Sequence, residues 1–161
     1  RLFKDFPARR KFLRSATAEA SRVQTLTTRF ALAYPGVRFQ LTIDGSAAFS
    51  TLGTGDLREV VSDLYGPGVA HAMLDLGAES RGEDEAGPVA SGMISPPSVA
   101  RSNRSHITIF VNGRWVQNRM LTYAVQEAYR GFLMERRFPV AVVTIAMSPE
   151  DVDVNVQEQE Q

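Results

Sequence analysis

The stretch FVNGRWVQNRM, residues 110–120, combines several local structural signals in a short length of chain. Residues 107–111 overlap the start of this stretch. Ile107, Ile109 and Val111 alternate there with Thr108 and Phe110, which is the two-residue period of a β-strand. Asn112-Gly113 is a pair favoured in two-residue hairpin turns, because both positions there need positive φ. Asn118 can cap a helix that begins directly after it. The stretch therefore predicts a strand, a tight turn and a helix start.

Two arginines flank this turn and helix start. Arg114 follows the turn, and Arg119 is the first residue after the expected cap. A helix N-terminus presents free N–H groups and a partial positive charge, so it favours an anion. We expect an anion to bind here, and its identity has to come from the rest of the chain.

Apolar side chains at helical spacing predict three main helices, over residues 17–34, 55–65 and 118–134. Pro35-Gly36 and Gly66-Pro67-Gly68 are expected to end the first two. The predicted core-facing side chains are Val23, Leu26, Phe30, Ala33 and Tyr34; Leu57, Val60, Val61, Leu64 and Tyr65; and Leu121, Ala124, Val125, Ala128, Tyr129, Phe132 and Leu133. Each stripe needs a surface that buries it, which predicts helices packed on one sheet.

Strand signals alternate with these helices. A hairpin is expected where Asp44-Gly45 separates two apolar-patterned runs. The predicted strands cover residues 37–43, 48–52, 69–76, 89–94 and 139–147, and a further strand-like stretch ends near Asp151 and Asp153. Residues 77–87 are acidic and contain glycine, so a loop is predicted there. The alternation of elements predicts an α/β fold.

Composition excludes several classes of function. The chain has 161 residues, enough for a full core, and no cysteine, which rules out disulfides and cysteine-ligated metals. It contains no apolar run of about 18 residues and no leader pattern, so neither a membrane span nor a signal peptide is expected. These features fit a cytoplasmic protein.

Charge is unevenly distributed although the formal net charge is +0. Residues 1–40 hold nine Lys/Arg against two acids, giving +7, and residues 91–137 hold seven Arg against two acids, giving +5. Residues 41–90 and 138–161 carry a net negative charge, which balances the positive charge of the other two segments. Such asymmetry indicates either a basic surface for a polyanion or scattered solvated charge.

No self-contained active site is visible in the sequence. Neither a Walker-type phosphate loop nor a G-x-G-x-x-G pattern occurs. His71 and His106 are isolated in sequence, and the acidic residues Glu83, Asp84 and Glu85 read as a solvated loop rather than an acid–base cluster. We therefore expect no catalytic residue, no metal site and no cofactor in this chain.

One face of the helix predicted over residues 118–134 has two interpretations. Arg119, Tyr123, Gln126 and Arg130 fall at i, i+4, i+7 and i+11, opposite the apolar stripe. Two cations, an aromatic ring and an amide on one solvent-facing surface can bind a phosphate backbone. An ordinary exposed polar face gives the same pattern, and the residues alone leave both interpretations open.

Several ordered motifs resemble those of MutL-type DNA mismatch repair proteins. RLFKDFPARRKFL at residues 1–13 is similar to the family pattern L-F-x-N-x-P-A-R-R-K-F-L, including Pro7, Ala8 and Arg9. RSNRSHITIFVNGR at residues 101–114 resembles the family's R-x-x-x-x-F-V-N-G-R, including Asn112, Gly113 and Arg114. AV and AY at 124–129 follow, and then VDVNV at 152–156, which contains Asp153 and Asn155.

The resemblance implies a fold and a role. In this family a GHKL-type ATPase domain is followed by a transducer domain with a left-handed β-α-β topology, also found in gyrase-like ATPases. It implies that residues 1–16 end the ATPase domain or form the junction, and that residues 17–161 form the transducer domain. ATP and Mg would then bind in the parent protein upstream of residue 1, and this fragment itself would not be an enzyme.

The resemblance also implies partners. The arginine matching Arg119 is assigned to DNA binding in the family, so the expected anion is the DNA backbone, bound without sequence specificity. Arg114, Arg130, Tyr123 and Gln126 would contribute to the same surface. Other implied partners are the upstream ATPase domain, a mismatch-recognition protein and further repair factors, and the resemblance allows a homodimer with a second copy. No membrane contact is implied, and the expected location is the cytoplasm, at the nucleoid during repair.

The sequence departs from the family pattern at two points. Asp5 stands where the family usually has Asn, and Gln157–Gln161 replaces the family's His-Pro-x-Lys, with Glu160 where the nucleotide-contacting lysine would fall. Two alternatives to a DNA-contacting transducer remain: a pure interaction module without DNA binding, and a small-molecule phosphotransferase of the same topology. The second would need a glycine-rich phosphate loop, which the sequence lacks.

Overall fold

A computed structural model describes residues 15–77 and 87–156. The helices are α1 (Ala16–Ala33), α2 (Leu57–Tyr65), α3 (Pro67–Ala72), α4 (Arg119–Ala128) and α5 (Pro149–Val156), with a single 3₁₀ turn at Arg104–His106. The strands are β1 (Gln40–Ile43), β2 (Ser46–Ser50), β3 (Leu74–Leu76), β4 (Val89–Ile94), β5 (Ala100–Arg101), β6 (Ile107–Val111), β7 (Arg114–Val116), β8 (Phe138–Pro139) and β9 (Ala141–Ala146). The expected α/β fold is therefore confirmed.

Five strands form the central sheet, in the order β3-β4-β9-β6-β7. Only β6 and β9 pair in parallel, with Ile109 opposite Val143, and the other neighbours are antiparallel. The sheet is therefore mixed, and α4 lies in the connection between its two parallel strands. Two smaller pairings, β1-β2 and β5-β8, lie outside this sheet.

The two faces of the sheet bury different side chains. Phe110, Met93 and Val142 belong to a cluster that includes Leu32 of α1 and Val61 of α2. The neighbouring positions Ile109, Ala141 and Val143 are also buried, but they are not in that cluster. Successive side chains of a strand point to opposite faces, so these residues form the second face. Helix α4 contacts β6, and we assign it to that face.

One glycine permits the close approach of two central strands. Gly92 of β4 has φ of +123°, and a Cβ placed on it would lie 2.0 Å from the carbonyl oxygen of Val142 in β9. Any side chain would push the two strands apart at the centre of the sheet.

Three element predictions need correction. Residues 69–72 are helical rather than extended, because Pro67 stands at the first position of α3, where its missing N–H costs nothing. The strand predicted there is restricted to Leu74–Leu76. The strand-like stretch near Asp151 is instead part of α5, whose first turn carries Glu150 and Asp151.

The third correction concerns the helix predicted over residues 118–134, which ends at Ala128. Tyr129 is buried, and its hydroxyl donates to the carbonyl oxygen of Ser95 at 2.5 Å, while Gly131 adopts φ of +82°. These two features turn the chain away from the helix axis. Of the predicted core residues, Phe132 is exposed, Leu121 and Val125 are half-buried, and Ala124 and Ala128 face solvent.

Helices α1 and α2 match their predicted positions closely. Ser15 caps α1, accepting a hydrogen bond from the N–H of Ala18, and Asp56 caps α2 through the N–H of Arg58. The predicted stripe of α2 packs in the core, whereas Val23, Leu26 and Phe30 of α1, and Tyr34 directly after it, are about half exposed. No helix in the described part of the chain is both long and apolar enough to cross a bilayer.

Candidate nucleic-acid interface

The hairpin between β6 and β7 forms as its sequence predicts. Asn112 and Gly113 both adopt positive φ, of +48° and +81°. Val111 pairs with Arg114 and Phe110 with Trp115 across the turn. A Cβ on Gly113 would meet nothing within 4 Å, so the backbone angle and not the available space favours glycine here.

Asn112 has a second structural role that its local sequence does not show. Its Nδ2 donates to the carbonyl oxygen of Met147 at 3.0 Å, and its Oδ1 accepts from the N–H of Met147 at 3.0 Å. Its own N–H donates to the carbonyl oxygen of Ile145 at 2.9 Å. These bonds fix the hairpin turn to the chain directly after β9. The partner lies 35 residues away, so no local pattern could indicate it.

The helix start after the hairpin is also as predicted. Asn118 has extended backbone angles, and its Oδ1 accepts from the N–H of Leu121 at 3.0 Å. This cap makes Arg119 the first residue of α4 and fixes the chain between Arg114 and the helix. The two arginines are five positions apart in the sequence, so their Cα atoms lie at most about 18 Å apart. We refer to residues 112–119 as the hairpin–helix corner.

The predicted basic face extends only partly along α4. Arg119 and Tyr123 are exposed, the latter to 58%, and Gln126 is half-buried. One helical turn, about 6 Å, separates Arg119 from Tyr123 along the helix axis. Arg130 lies beyond the last helical residue, so its i+11 spacing does not place it on this face. Its guanidinium instead pairs with Glu127 at 3.0 Å.

Arg114 and Arg119 are exposed and have no ion-pair partner among residues 15–77 and 87–152. The ion pairs found there are Arg58–Asp75 and Arg130–Glu127, each at 3.0 Å. The corner therefore carries two positive charges that no described carboxylate neutralises. A phosphate could approach both without breaking an existing pair.

A third cation lies against the same hairpin. The guanidinium carbon of Arg29, on α1, is 3.6 Å from the ring centroid of Trp115. Burial lowers the pKa of Arg29 from its ordinary value, and the side chain stays charged. No local sequence pattern singles out Arg29, because its contact with the hairpin joins segments far apart in the chain. An apolar groove between α1 and the hairpin is lined by Leu26, Arg29, Phe30, Ala33, Tyr34, Phe110, Gly113, Arg114 and Trp115.

The histidines are not brought together. His106 is half-buried, and its ring lies edge-on to that of Tyr65 with centroids 5.0 Å apart. Burial, and then the charge of Arg101, lower the pKa of His106. Burial raises the pKa of Tyr65. His71 is exposed on α3. His106 is thus a packing residue, and no group of three or more His, Asp or Glu in the described ranges could hold a metal ion.

The remaining motif residues fall outside what the structure describes. Pro7, Ala8 and Arg9 precede the described residues. Asp153 and Asn155 lie in α5, but their side chains are not among those described. Their expected roles stay predictions.

Comparison with protein families gives one match over more than half of the chain. The family model described as "DNA mismatch repair protein, C-terminal domain" matches residues 61–159. The DNA mismatch repair protein MutL of Shouchella clausii is 38% identical over 155 residues, and that of Limosilactobacillus fermentum is 41% identical over 155 residues. Each alignment covers 96% of this chain and 23% of the relative. The chain thus spans about a quarter of the length of these relatives.

Solved structures show the same fold. One, described as the N-terminal domain of a DNA repair protein, superposes with a TM-score of 0.71 over 90% of this chain and 47% of its own, at 21% identity. The ATPase domain of Aquifex aeolicus MutL complexed with ADP gives a TM-score of 0.66 over 99% of this chain and 55% of its own, also at 21% identity. At this identity the similarity concerns the fold alone.

Proposed function

Because the chain belongs to the MutL family of DNA mismatch repair proteins, we propose that it acts as a transducer that couples the ATPase state of an adjoining domain to DNA binding. The hairpin–helix corner carries this proposal. Arg114 and Arg119 are exposed there, unpaired within the described ranges, and fixed by a capped helix and a clamped turn. Because the backbone that carries this pair of cations is already fixed, binding phosphates costs little backbone freedom.

DNA bound at this corner would be held mainly by its backbone. Arginine contacts to phosphate carry no sequence information, so affinity would be similar for all duplexes. Tyr123 and Gln126 lie further along α4 and could add hydrogen bonds to phosphate or sugar. Arg130 contributes less than the sequence predicts, since a phosphate there has to compete with Glu127.

ATP and Mg²⁺ belong, in this proposal, to the adjoining domain. The chain contains no glycine-rich phosphate loop, and the described side chains offer no three-residue cluster of cation ligands. These residues therefore do not fit the nucleotide, and the fragment itself is proposed to be no enzyme. The half-exposed stripe of α1, which includes Leu26 and Phe30, is the surface we propose for contact with the ATPase domain.

Further partners follow from the family in the same way. A mismatch-recognition protein, other repair factors and a second copy of the parent protein are proposed to contact it, at the nucleoid in the cytoplasm. Two rival functions make different predictions. A pure interaction module would show no salt-dependent DNA binding, and a small-molecule phosphotransferase would bind a phosphorylated metabolite in competition with DNA.

Fluorescence anisotropy with a labelled duplex tests the DNA contact. With roughly two to three phosphates neutralised by Arg114, Arg119 and the neighbouring Arg29, log K should fall against log salt with a slope of about −2 to −3. The expected Kd is on the order of 10⁻⁴–10⁻⁶ M at physiological salt. Arg119→Glu should reduce the magnitude of the slope by at least about one and weaken binding to every duplex alike.

Arg104→Glu is the matched control. Arg104 is exposed, like Arg119, but it precedes β6, whereas Arg114 follows that strand, so it lies at the opposite end of β6 from the corner. The control should keep a slope close to that of the unaltered chain. If Arg119→Glu binds DNA with unchanged slope and affinity while circular dichroism shows both variants folded, the corner is not the DNA-binding surface.

A further inference from the structure

The segment after α4 holds two large apolar side chains in solvent. Phe132 is 71% exposed and Met134 is 83% exposed. Monomeric proteins rarely expose apolar patches larger than a few hundred Å², so two large apolar side chains exposed two residues apart are a candidate interaction site. We call residues 129–137 the Phe132 turn.

The Phe132 turn is fixed at both ends. At its start, the hydroxyl of Tyr129 donates to the carbonyl oxygen of Ser95, and the N–H of Phe132 donates to the carbonyl oxygen of Tyr129 at 2.9 Å. At its end, a guanidinium nitrogen of Arg137 donates to the carbonyl oxygen of Ala100 at 3.1 Å. These hydrogen bonds hold the backbone that carries Phe132 and Met134, so binding a partner would cost the turn little backbone entropy.

A groove lined in part by Met134 lies beside Phe132 in the chain and carries positive charge. Its lining comprises Gln126, Glu127, Tyr129, Arg130, Leu133, Met134, Arg136, Arg137, Phe138 and Pro139. Arg130 is paired with Glu127, whereas Arg136 and Arg137 have no carboxylate partner among the described residues. The groove thus combines apolar walls with two uncompensated cations.

We propose that the Phe132 turn docks an acidic protein segment that presents a bulky apolar side chain between carboxylates. The apolar side chain would pack between Phe132, Met134 and Leu133, and its flanking carboxylates would pair with Arg136 and Arg137. Aromatic residues, methionine and arginine are the side chains enriched in protein interfaces. A base of a single-stranded nucleic acid could stack on Phe132, but the aliphatic side chains of Leu133 and Met134 offer no flat surface, so the apolar part of the site matches a peptide side chain better. This site is separate from the corner and does not depend on DNA binding there.

Selection from a phage-displayed library of random 12-residue peptides, with the immobilised 161-residue chain as target, tests the proposal. Enriched peptides should carry Asp or Glu around Leu, Phe or Met. The strongest of them, synthesised with a fluorescent label, should bind the chain at least tenfold more weakly after Phe132→Ser. Arg136→Asn should also weaken it severalfold. Asn suits this position, because Arg136 has φ of +58° and asparagine tolerates that region.

Met120→Ser is the matched control, since Met120 is 77% exposed at the other end of α4. It should leave peptide affinity unchanged, and thermal unfolding should show all three variants folded. The proposal is overturned if the library yields no acidic-apolar peptide, or if the peptides bind the Phe132→Ser chain equally well. It is also overturned if a single-stranded 20-nucleotide DNA, and not the peptide, loses tenfold affinity on Phe132→Ser. Arg119→Glu should not alter peptide binding, which separates this result from failure of the proposed DNA contact.

Discussion

Helices α1 and α2 reach the same core cluster in different ways. α2 places Val60 and Val61 fully inside it, at 2% and 0% exposure, with Leu57 and Leu64 packed alongside. α1 is twice as long, yet its fully buried residues are Ala31 and Leu32, in its last turn. The other apolar side chains of its stripe, Val23, Leu26 and Phe30, and Tyr34 directly after the helix, are 46–52% exposed.

The difference shows what an apolar stripe on a helix does and does not specify. Both helices have the spacing of an amphipathic helix, and both form where that spacing predicts. The spacing identifies a face whose removal from water stabilises the protein, but it does not identify the surface that covers this face. α2 finds that surface within the described residues. We propose that α1 finds most of it on the adjoining ATPase domain.

The largest expected effect is on the buried helix. Val61→Asp places a carboxylate among the apolar side chains of the core, where it has no access to water. We expect a loss of more than about 4 kcal/mol in the free energy of unfolding, which would leave much of the chain unfolded. Urea unfolding followed by circular dichroism measures this loss.

Val23→Asp makes the same chemical change on the exposed stripe of α1. Because Val23 is 48% exposed, the new carboxylate stays hydrated, and we expect a loss of less than about 1 kcal/mol. Equal losses for the two variants would mean that α1 is buried in solution as thoroughly as α2. The contrast between the two helices would then be wrong.

An intermediate effect is expected where α1 does contact the sheet. Arg29→Met keeps an unbranched side chain but removes the guanidinium from above Trp115, which should cost about 0.5–1 kcal/mol. Trp115 is the single tryptophan of the chain, so its fluorescence reports on this contact directly. The emission maximum should shift, whereas Arg22→Met, at an exposed position on the same helix, should leave it unchanged. An unshifted spectrum for Arg29→Met would show that α1 does not rest on β7.

The smallest effect is expected from pH at the α2 side of the core. Burial and the nearby Arg101 lower the pKa of His106, whose ring touches Tyr65 at the end of α2. Below the ordinary histidine pKa of about 6.5, the unfolded chain therefore takes up a proton more readily than the folded chain. Stability should be full above that pH and decline as pH falls through the window beneath it.

Unfolding at pH 7 and pH 5.5 measures this decline. His106→Gln should remove part of it, whereas His71→Gln, at an exposed position on α3, should leave it as it is. If His106→Gln leaves the difference between the two pH values unchanged, His106 is not the residue responsible. The contact between His106 and Tyr65 at the end of α2 would then contribute nothing to the pH dependence of stability.

Local signals predicted the parts of the fold that are determined locally. The Asn112-Gly113 turn, the Asn118 cap and the start of α4 depend on backbone angles and on hydrogen bonds within three residues. The end of α4 was missed because it depends on Tyr129 reaching Ser95, 34 residues away in sequence. Pro67 was read only as a helix stop, although the same residue suits the first turn of a new helix.

The residues of the candidate interface likewise divide into those that local sequence signals could predict and those that they could not. Arg114 and Arg119 could be selected from the sequence, because the turn and the cap beside them fix their positions. The displacement of Arg130 from the helix face could not, since it follows from where α4 ends. Nor could the contact of Arg29 with Trp115, which joins two distant segments. The exposure of Phe132 likewise contradicts its place in an apolar stripe.

The clamp on Asn112 has a consequence for protein engineering. Hairpin tips are the usual places to insert a tag or a reporter loop, since they tolerate added residues. The turns Asp44-Gly45 and Asn112-Gly113 have the same positive φ at both positions. Residues inserted between Asn112 and Gly113 would pull the amide away from Met147 and release the chain after β9. The Asp44 side chain makes no such bond among the described residues, so the β1-β2 turn is the better insertion site.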